Sequence, residues 1–321
     1  MFMRWYALLA LLAGLLFGPT AQAAPSPVTI GSYVKEVRDL DFRANKYTMD
    51  FFIWFRWRET DALKDYKPLE SFELVNGKIE DKSSVVEKVV NGEHYASARI
   101  VATINEPWDL VSYPFDRHRI KIAIEDSNLG ADDMVFVDDK PNSRLGDEMT
   151  IAGWVPSNFA TQVSTMTYHS NYGDPSLSSE ARSDFSRFSF ALDLDRQTFG
   201  SAFKLLSTVL LATAVAFVAF MVKPSDLDAR FGMGVGSLFA VAASAFVAAG
   251  SVPDSGVMTL ADHMHMVALA FIFVSLLISA IALKFEVTGR EELAFKIDRI
   301  VLVVMPLLFY GWAGWTIYRS M

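Results

Sequence analysis

No cysteine occurs in the 321 residues. That absence removes disulfide frameworks, thiolate metal sites and cysteine nucleophiles together. Charge is scarce in the last third, where residues 202–321 carry 8 basic and 8 acidic side chains, against 20 basic and 29 acidic in residues 24–201. The acidity therefore belongs to the earlier part, and such a field attracts cations, repels anions and argues against a nucleic-acid partner. There is no H-E-x-x-H, and the glycine run GMGVG (232–236) sits in an apolar segment without the strand-turn-helix setting of a nucleotide loop. An enzyme is not expected. The inverted repeats and broken helices of many transporters are missing as well.

Long apolar runs are present. Residues 1–23 hold one basic residue, Arg4, an apolar stretch from Ala7 to Phe17, and Ala21-Gln22-Ala23 in the small-x-small pattern of a cleavage site. An apolar core of about a dozen residues is short of the roughly 20 that cross a bilayer, so residues 1–23 read as a cleaved secretion signal. Four later runs, 202–222, 231–252, 264–283 and 300–318, have the length of spanning helices. The linkers on either side of the middle pair of runs hold Lys223, Arg230, Lys284, Arg290, Lys296 and Arg299, whereas 251–265 holds no basic residue. The positive-inside rule then places residues 24–199 and the C-terminus outside the cytoplasm, with 200–321 as the membrane domain.

The exported part reads as strands. Tyr47–Trp57, Tyr95–Ile104, Arg119–Glu125 and Phe185–Asp195 are rich in aromatic and β-branched residues and are separated by Gly, Pro, Asn and Asp. Ile120, Ile122 and Ile124 alternate with Arg119, Lys121 and Glu125; Phe188, Phe190, Leu192 and Leu194 alternate with Arg187, Ser189, Asp193 and Asp195. The expected fold is an extracellular all-β, immunoglobulin-like sandwich followed by a four-helix transmembrane bundle, α+β overall.

The second apolar run is built from Gly, Ala and Ser with a few Phe. Steps of four and three place Gly232, Gly236, Phe239, Ala243, Phe246 and Gly250 on one seam, with Asp228 one turn before it. Small residues on one seam serve either close helix packing or the axis of a bundle. Around an axis, Asp228 would make an acidic mouth, and rings of Phe239 and Phe246 could shut a pore by expelling water. Arg230, beside that mouth, is expected to reach for lipid headgroups.

With these pieces in place the chain resembles the pentameric ligand-gated ion channels, the Cys-loop receptor superfamily, in their bacterial cysteine-free form. The most specific stretch is YPFDRHRI (113–120): Trp108, Leu110, Tyr113, Pro114 and Asp116 fit the family loop, while Glu106 and Ile120 stand at its two cysteine positions. WRE (57–59), LDLDRQTFGS with Arg196, and KPSDLDARFGMGVG followed by AGSVPDS with Pro253 add to the likeness. The first run, 202–222, lacks the proline usual there.

The resemblance implies a homopentamer in the bacterial inner membrane that passes inorganic cations through a pore lined by Asp228, Gly232, Gly236, Phe239, Ala243, Phe246 and Gly250, with Phe239 and Phe246 as the gate. It implies a coupling interface of Asp41, Tyr113, Pro114, Phe115, Asp116, Arg196 and Pro253, in which Arg196 lies between Asp41 and Asp116. It places an agonist of unknown identity between subunits, near Phe52, Asp126, Ser127, Tyr168 and Tyr172. Asp126 and Ser127 leave an aromatic cage incomplete. No cofactor is implied; Asp132, Asp133, Asp138 and Asp139 offer oxygen donors for calcium as a modulator, and His118, His263 and His265 are candidate proton sites. The alternative is a non-conducting periplasmic sensor on the same scaffold.

Overall fold

The computed structural model describes residues 24–171, 173, 175, 178, 182–250 and 257–320. The expected signal segment 1–23, Tyr172 and Pro253 lie outside the described residues.

Among the described residues ten strands build two sheets. These are β1 (Ser26–Asp41), β2 (Lys46–Trp57), β3 (Phe72–Leu74), β4 (Gly77–Val90), β5 (Glu93–Asn105), β6 (Arg117–Asp126), β7 (Met134–Asp138), β8 (Arg144–Leu145), β9 (Trp154–Tyr168) and β10 (Ser183–Arg196). One sheet runs β4-β5-β2-β1-β7 with β8 also on β1; the other runs β3-β6-β10-β9. Pairing is antiparallel except where β7 and β8 lie parallel to β1.

The alternating residues face inward. Ile120, Ile122, Ile124, Phe188, Phe190, Leu192 and Leu194 are buried against Phe51, Ile53, Ile100 and Ile104 of the other sheet. Phe51 meets Phe190 edge-on at 5.2 Å between ring centres, which joins the two sheets. The alternation misplaces two residues: Glu125 and Ser189, expected at the surface, are buried. Glu125 is neutralised by Arg187 of β10, whose Nε lies 2.6 Å from Oε1.

Four long helices follow: α1 (Thr198–Val218), α2 (Leu227–Ala249), α3 (Leu260–Val287) and α4 (Glu291–Ser320). Each is long and apolar enough to cross a membrane, and the chain is a multi-pass membrane protein. The helices outrun the apolar runs at several ends because polar caps extend them: Asp226 caps α2 through the Ala229 N–H, and Thr259 with Asp262 forms a capping box on α3. α2 and α3 approach closely at Gly234, where a Cβ would overlap the Leu276 side chain. Half-buried Tyr310 donates to the Leu210 carbonyl at 2.8 Å and ties α4 to α1.

Candidate functional site

The junction of sandwich and bundle is made by the 108–118 loop. The Tyr113–Pro114 peptide is cis, and Pro114, Phe115 and Asp116 are buried. Phe115 leaves the sandwich core altogether and packs among Ala202, Leu206, Leu260, Met264 and Ala313 of α1, α3 and α4. Burying one such ring is worth about 1.5–3 kcal/mol.

The same loop satisfies a helix end. The first N–H groups of any helix lack intrahelical acceptors. At α3 the Leu260 N–H donates to the Val111 carbonyl at 2.9 Å and the Ala261 N–H to the Tyr113 carbonyl at 3.2 Å. Asp262 is served by the Thr259 hydroxyl at 3.1 Å. The first turn of α3 is thus completed by main chain from the sandwich.

Asp116 organises the charge at this junction. Its carboxylate takes two bonds from Arg196, Nε to Oδ1 at 2.7 Å and Nη2 to Oδ2 at 2.8 Å, and lies 2.6 Å from His118 Nε2. Burial opposes its ionisation most strongly, but the hydrogen bonds from His118 and Arg196 and their charges together outweigh it and hold the carboxyl below its ordinary range. The Arg196 guanidinium is also enclosed by rings, with Trp154 at 4.1 Å, Phe42 at 5.1 Å and Tyr113 at 5.2 Å. His118 packs among Phe42, Trp108 and Trp154.

Asp41 does not join this cluster. Its side chain is exposed and accepts from the Ala44 N–H at 2.8 Å, closing its own turn between β1 and β2, while its carbonyl receives the Trp108 indole N–H. The expected arrangement of Arg196 between two carboxylates is therefore corrected to one carboxylate, one histidine and three rings. Trp154 was not anticipated, and no local pattern around it signals this contact.

At the two cysteine positions Ile120 is in the core and Glu106 is half-buried. Burial is the main cause that pushes the Glu106 carboxyl up from its ordinary value, against partial relief from the Lys121 N–H.

The α2 seam lies entirely on one side. Asp228, Gly232, Gly236, Phe239, Ala243, Phe246 and Gly250 are all exposed, whereas Arg230, Gly234, Ser237, Val241 and Ala248 are buried against the rest of the chain. Phe239 is 67% exposed and Phe246 83% exposed, so neither ring packs within this chain. Arg230 reaches no lipid: its side chain is fully buried and paired bidentately with Asp298 of α4. The headgroup anchor is corrected because a carboxylate lies within reach on the neighbouring helix.

The expected ligand residues separate. Asp126 is buried and accepts from Tyr66, Ser71 and the N–H groups of Asn128 and Leu129, and Ser127 donates to the Ser71 carbonyl. Both side chains fasten their own loop and are corrected from ligand contacts to turn-forming residues. Tyr168 donates to Glu125 at 3.0 Å and accepts from Arg187 at 2.8 Å; burial and then Glu125 raise its pKa. Glu125 and Arg187 were thus missed as members of this cluster. Phe52, on the other sheet, lines a cavity of 570 Å³ with Tyr33, Lys35, Glu36, Asp147 and Glu148.

The four carboxylates expected for calcium do not converge. Asp139 accepts from the Trp54 indole and Asn142, Asp138 accepts from Thr161, and both stand at the end of β7 opposite to the exposed Asp132 and Asp133 that precede it. Among the described residues no group of three or more His, Asp or Glu is placed to hold a metal ion. His263 and His265 bond to carbonyls one turn back, and His265 Nε2 also lies 3.0 Å from the Ser244 hydroxyl on α2.

No family model matches the chain. It is, however, 20% identical over 312 residues to a protein of Gloeobacter violaceus described as a proton-gated ion channel, an alignment that covers 92% of this chain and 84% of that protein.

Proposed function

We propose that the chain is one subunit of a pentameric ligand-gated ion channel that prefers cations, with the sandwich and C-terminus outside the cytoplasm of a bacterial inner membrane. The observation that carries this reading is the α2 seam. A membrane helix that turns an acid, three glycines and two phenylalanines away from its own bundle has that face left for copies of itself. A repeated heterologous contact closes into a ring. The number five is what the resemblance to the pentameric ligand-gated channels implies, and the likeness to an ion channel favours that reading.

In that ring Asp228 forms the inner mouth, Gly232 and Gly236 the lower pore, and Phe239 and Phe246 the apolar gate. Movement of the sandwich is carried to α3 by the Val111 and Tyr113 carbonyls and to the helix core by Phe115. Pro253 would lie in the link that receives this push. The agonist is a small molecule held between the Phe52 cavity of one copy and the Tyr168 side of the next. A proton is the second candidate signal, favoured by the name of the Gloeobacter relative and by the buried His118–Asp116 contact.

Purified protein in bilayers tests the reading. Reversal potentials under asymmetric NaCl should report cation preference for the wild type and lose it in Asp228→Ala. Steps of pH without added ligand separate the two signals. Absence of current under every ligand and pH tried, with Phe239→Ala also silent, would leave the non-conducting sensor.

A further inference from the structure

At the end of the bundle farthest from the sandwich, Asp228 and Arg230 stand two residues apart near the start of α2, yet they face opposite ways. Asp228 is exposed on the seam; Arg230 is 1% exposed. Its Nη1 donates to Asp298 Oδ2 at 2.8 Å and to the Val222 carbonyl at 3.1 Å, and its Nη2 donates to Asp298 Oδ1 at 2.5 Å. The guanidinium also lies over the Phe220 ring at 4.9 Å. Asp298 is the carboxylate this guanidinium meets, and it comes from α4, 68 residues away.

We propose that Asp298 is a specificity-determining residue of the pore, acting by positioning: it holds the positive charge of Arg230 out of the ion path so that Asp228 alone sets the sign of the inner mouth. The inference rests on the reading of the α2 seam as pore lining. Five carboxylates and five guanidiniums at one mouth would cancel; five carboxylates alone attract cations. A buried guanidinium that loses its paired carboxylate is left uncompensated in a medium that solvates it poorly. Asp228, two residues away on the same helix, is exposed at the mouth, and the long, flexible arginine stem gives the freed charge a route to that water. A residue of α4 thereby controls ion choice without touching an ion.

The test uses full-length protein in bilayers with asymmetric NaCl. Wild type should reverse near the cation equilibrium potential, and Asp298→Asn, which keeps the side-chain shape, should move the reversal to zero or past it toward the chloride value. Arg230→Gln/Asp298→Asn should restore the wild-type reversal, which a purely structural role for Asp298 would not produce. Arg230→Gln alone should leave the reversal unchanged, since that charge is already out of the path; a gain in cation preference would overturn the proposal, and this variant decides the matter if Asp298→Asn fails to assemble or conduct. An unchanged reversal in a conducting Asp298→Asn would overturn it while leaving the channel reading intact. A wild type without cation preference would overturn both.

Discussion

The bundle has a buried arginine-carboxylate pair at each end, and the two are built differently. Arg196 at the sandwich end is surrounded by Trp154, Phe42 and Tyr113, and its partner Asp116 is shared with His118. Arg230 at the far end has one carboxylate, one carbonyl and one ring. The first pair ties a loop to the last residue of β10, and the second ties one helix to another. A shared carboxylate facing a ring-enclosed guanidinium resists the loss of any one contact except its own. A two-partner pair depends on both members equally.

The largest effect should therefore come from Asp116→Ala, which strands both Arg196 and His118. Breaking a buried pair from one side costs about 3–5 kcal/mol, so the thermal midpoint of the detergent-solubilised assembly should fall well below that of wild type. His118→Gln, which leaves Arg196 paired, should fall much less. Phe115→Ala comes next, at about 3 kcal/mol, the lower part of the range for removing a buried ring. It should weaken the response to the opening signal as well, because it cuts the side-chain plug while leaving the α3 backbone bonds in place.

pH separates the junction's two unusual carboxyls. Asp116 has a lowered native pKa, so its contribution is in place above the ordinary carboxylate range and is lost as pH falls through that lowered value. Glu106 has a raised native pKa, so its contribution is in place at low pH and is lost as pH rises through the raised value. Glu106→Gln should remove the second loss, flattening the thermal midpoint as pH rises out of the ordinary carboxylate range. A profile unchanged from wild type would show that Glu106 is not the group responsible. The smallest effect belongs to Asp41→Ala, about 0.5–1 kcal/mol for one turn hydrogen bond. A loss as large as that of Asp116→Ala would return Asp41 to the Arg196 cluster.

What could be read in advance followed from periodicity. Ile120-Ile122-Ile124 and Phe188-Phe190-Leu192 announce two-faced strands, and four long apolar runs announce helices. The seam from Asp228 to Gly250 is legible because spacing by three and four is a property of one helix. β1 and β4 escaped because Pro27 and Gly31 interrupt the first, and the second is an exposed edge strand with no buried face to alternate against. Asp298 and Trp154 escaped for another reason. Each meets its arginine only after distant segments pack, and no local spacing encodes that meeting. Asp41, Asp126 and Asp139 show the converse: an acidic residue in a loop is as readily used to close that loop.

The bonds from Leu260 and Ala261 to the Val111 and Tyr113 carbonyls use backbone on both sides. No side-chain substitution deletes these atoms, apart from a proline that removes an N–H. The joint between the two halves can therefore survive wide drift in sequence around it, and its alignment is set to a single residue, since a slip of one peptide would leave one amide facing no acceptor.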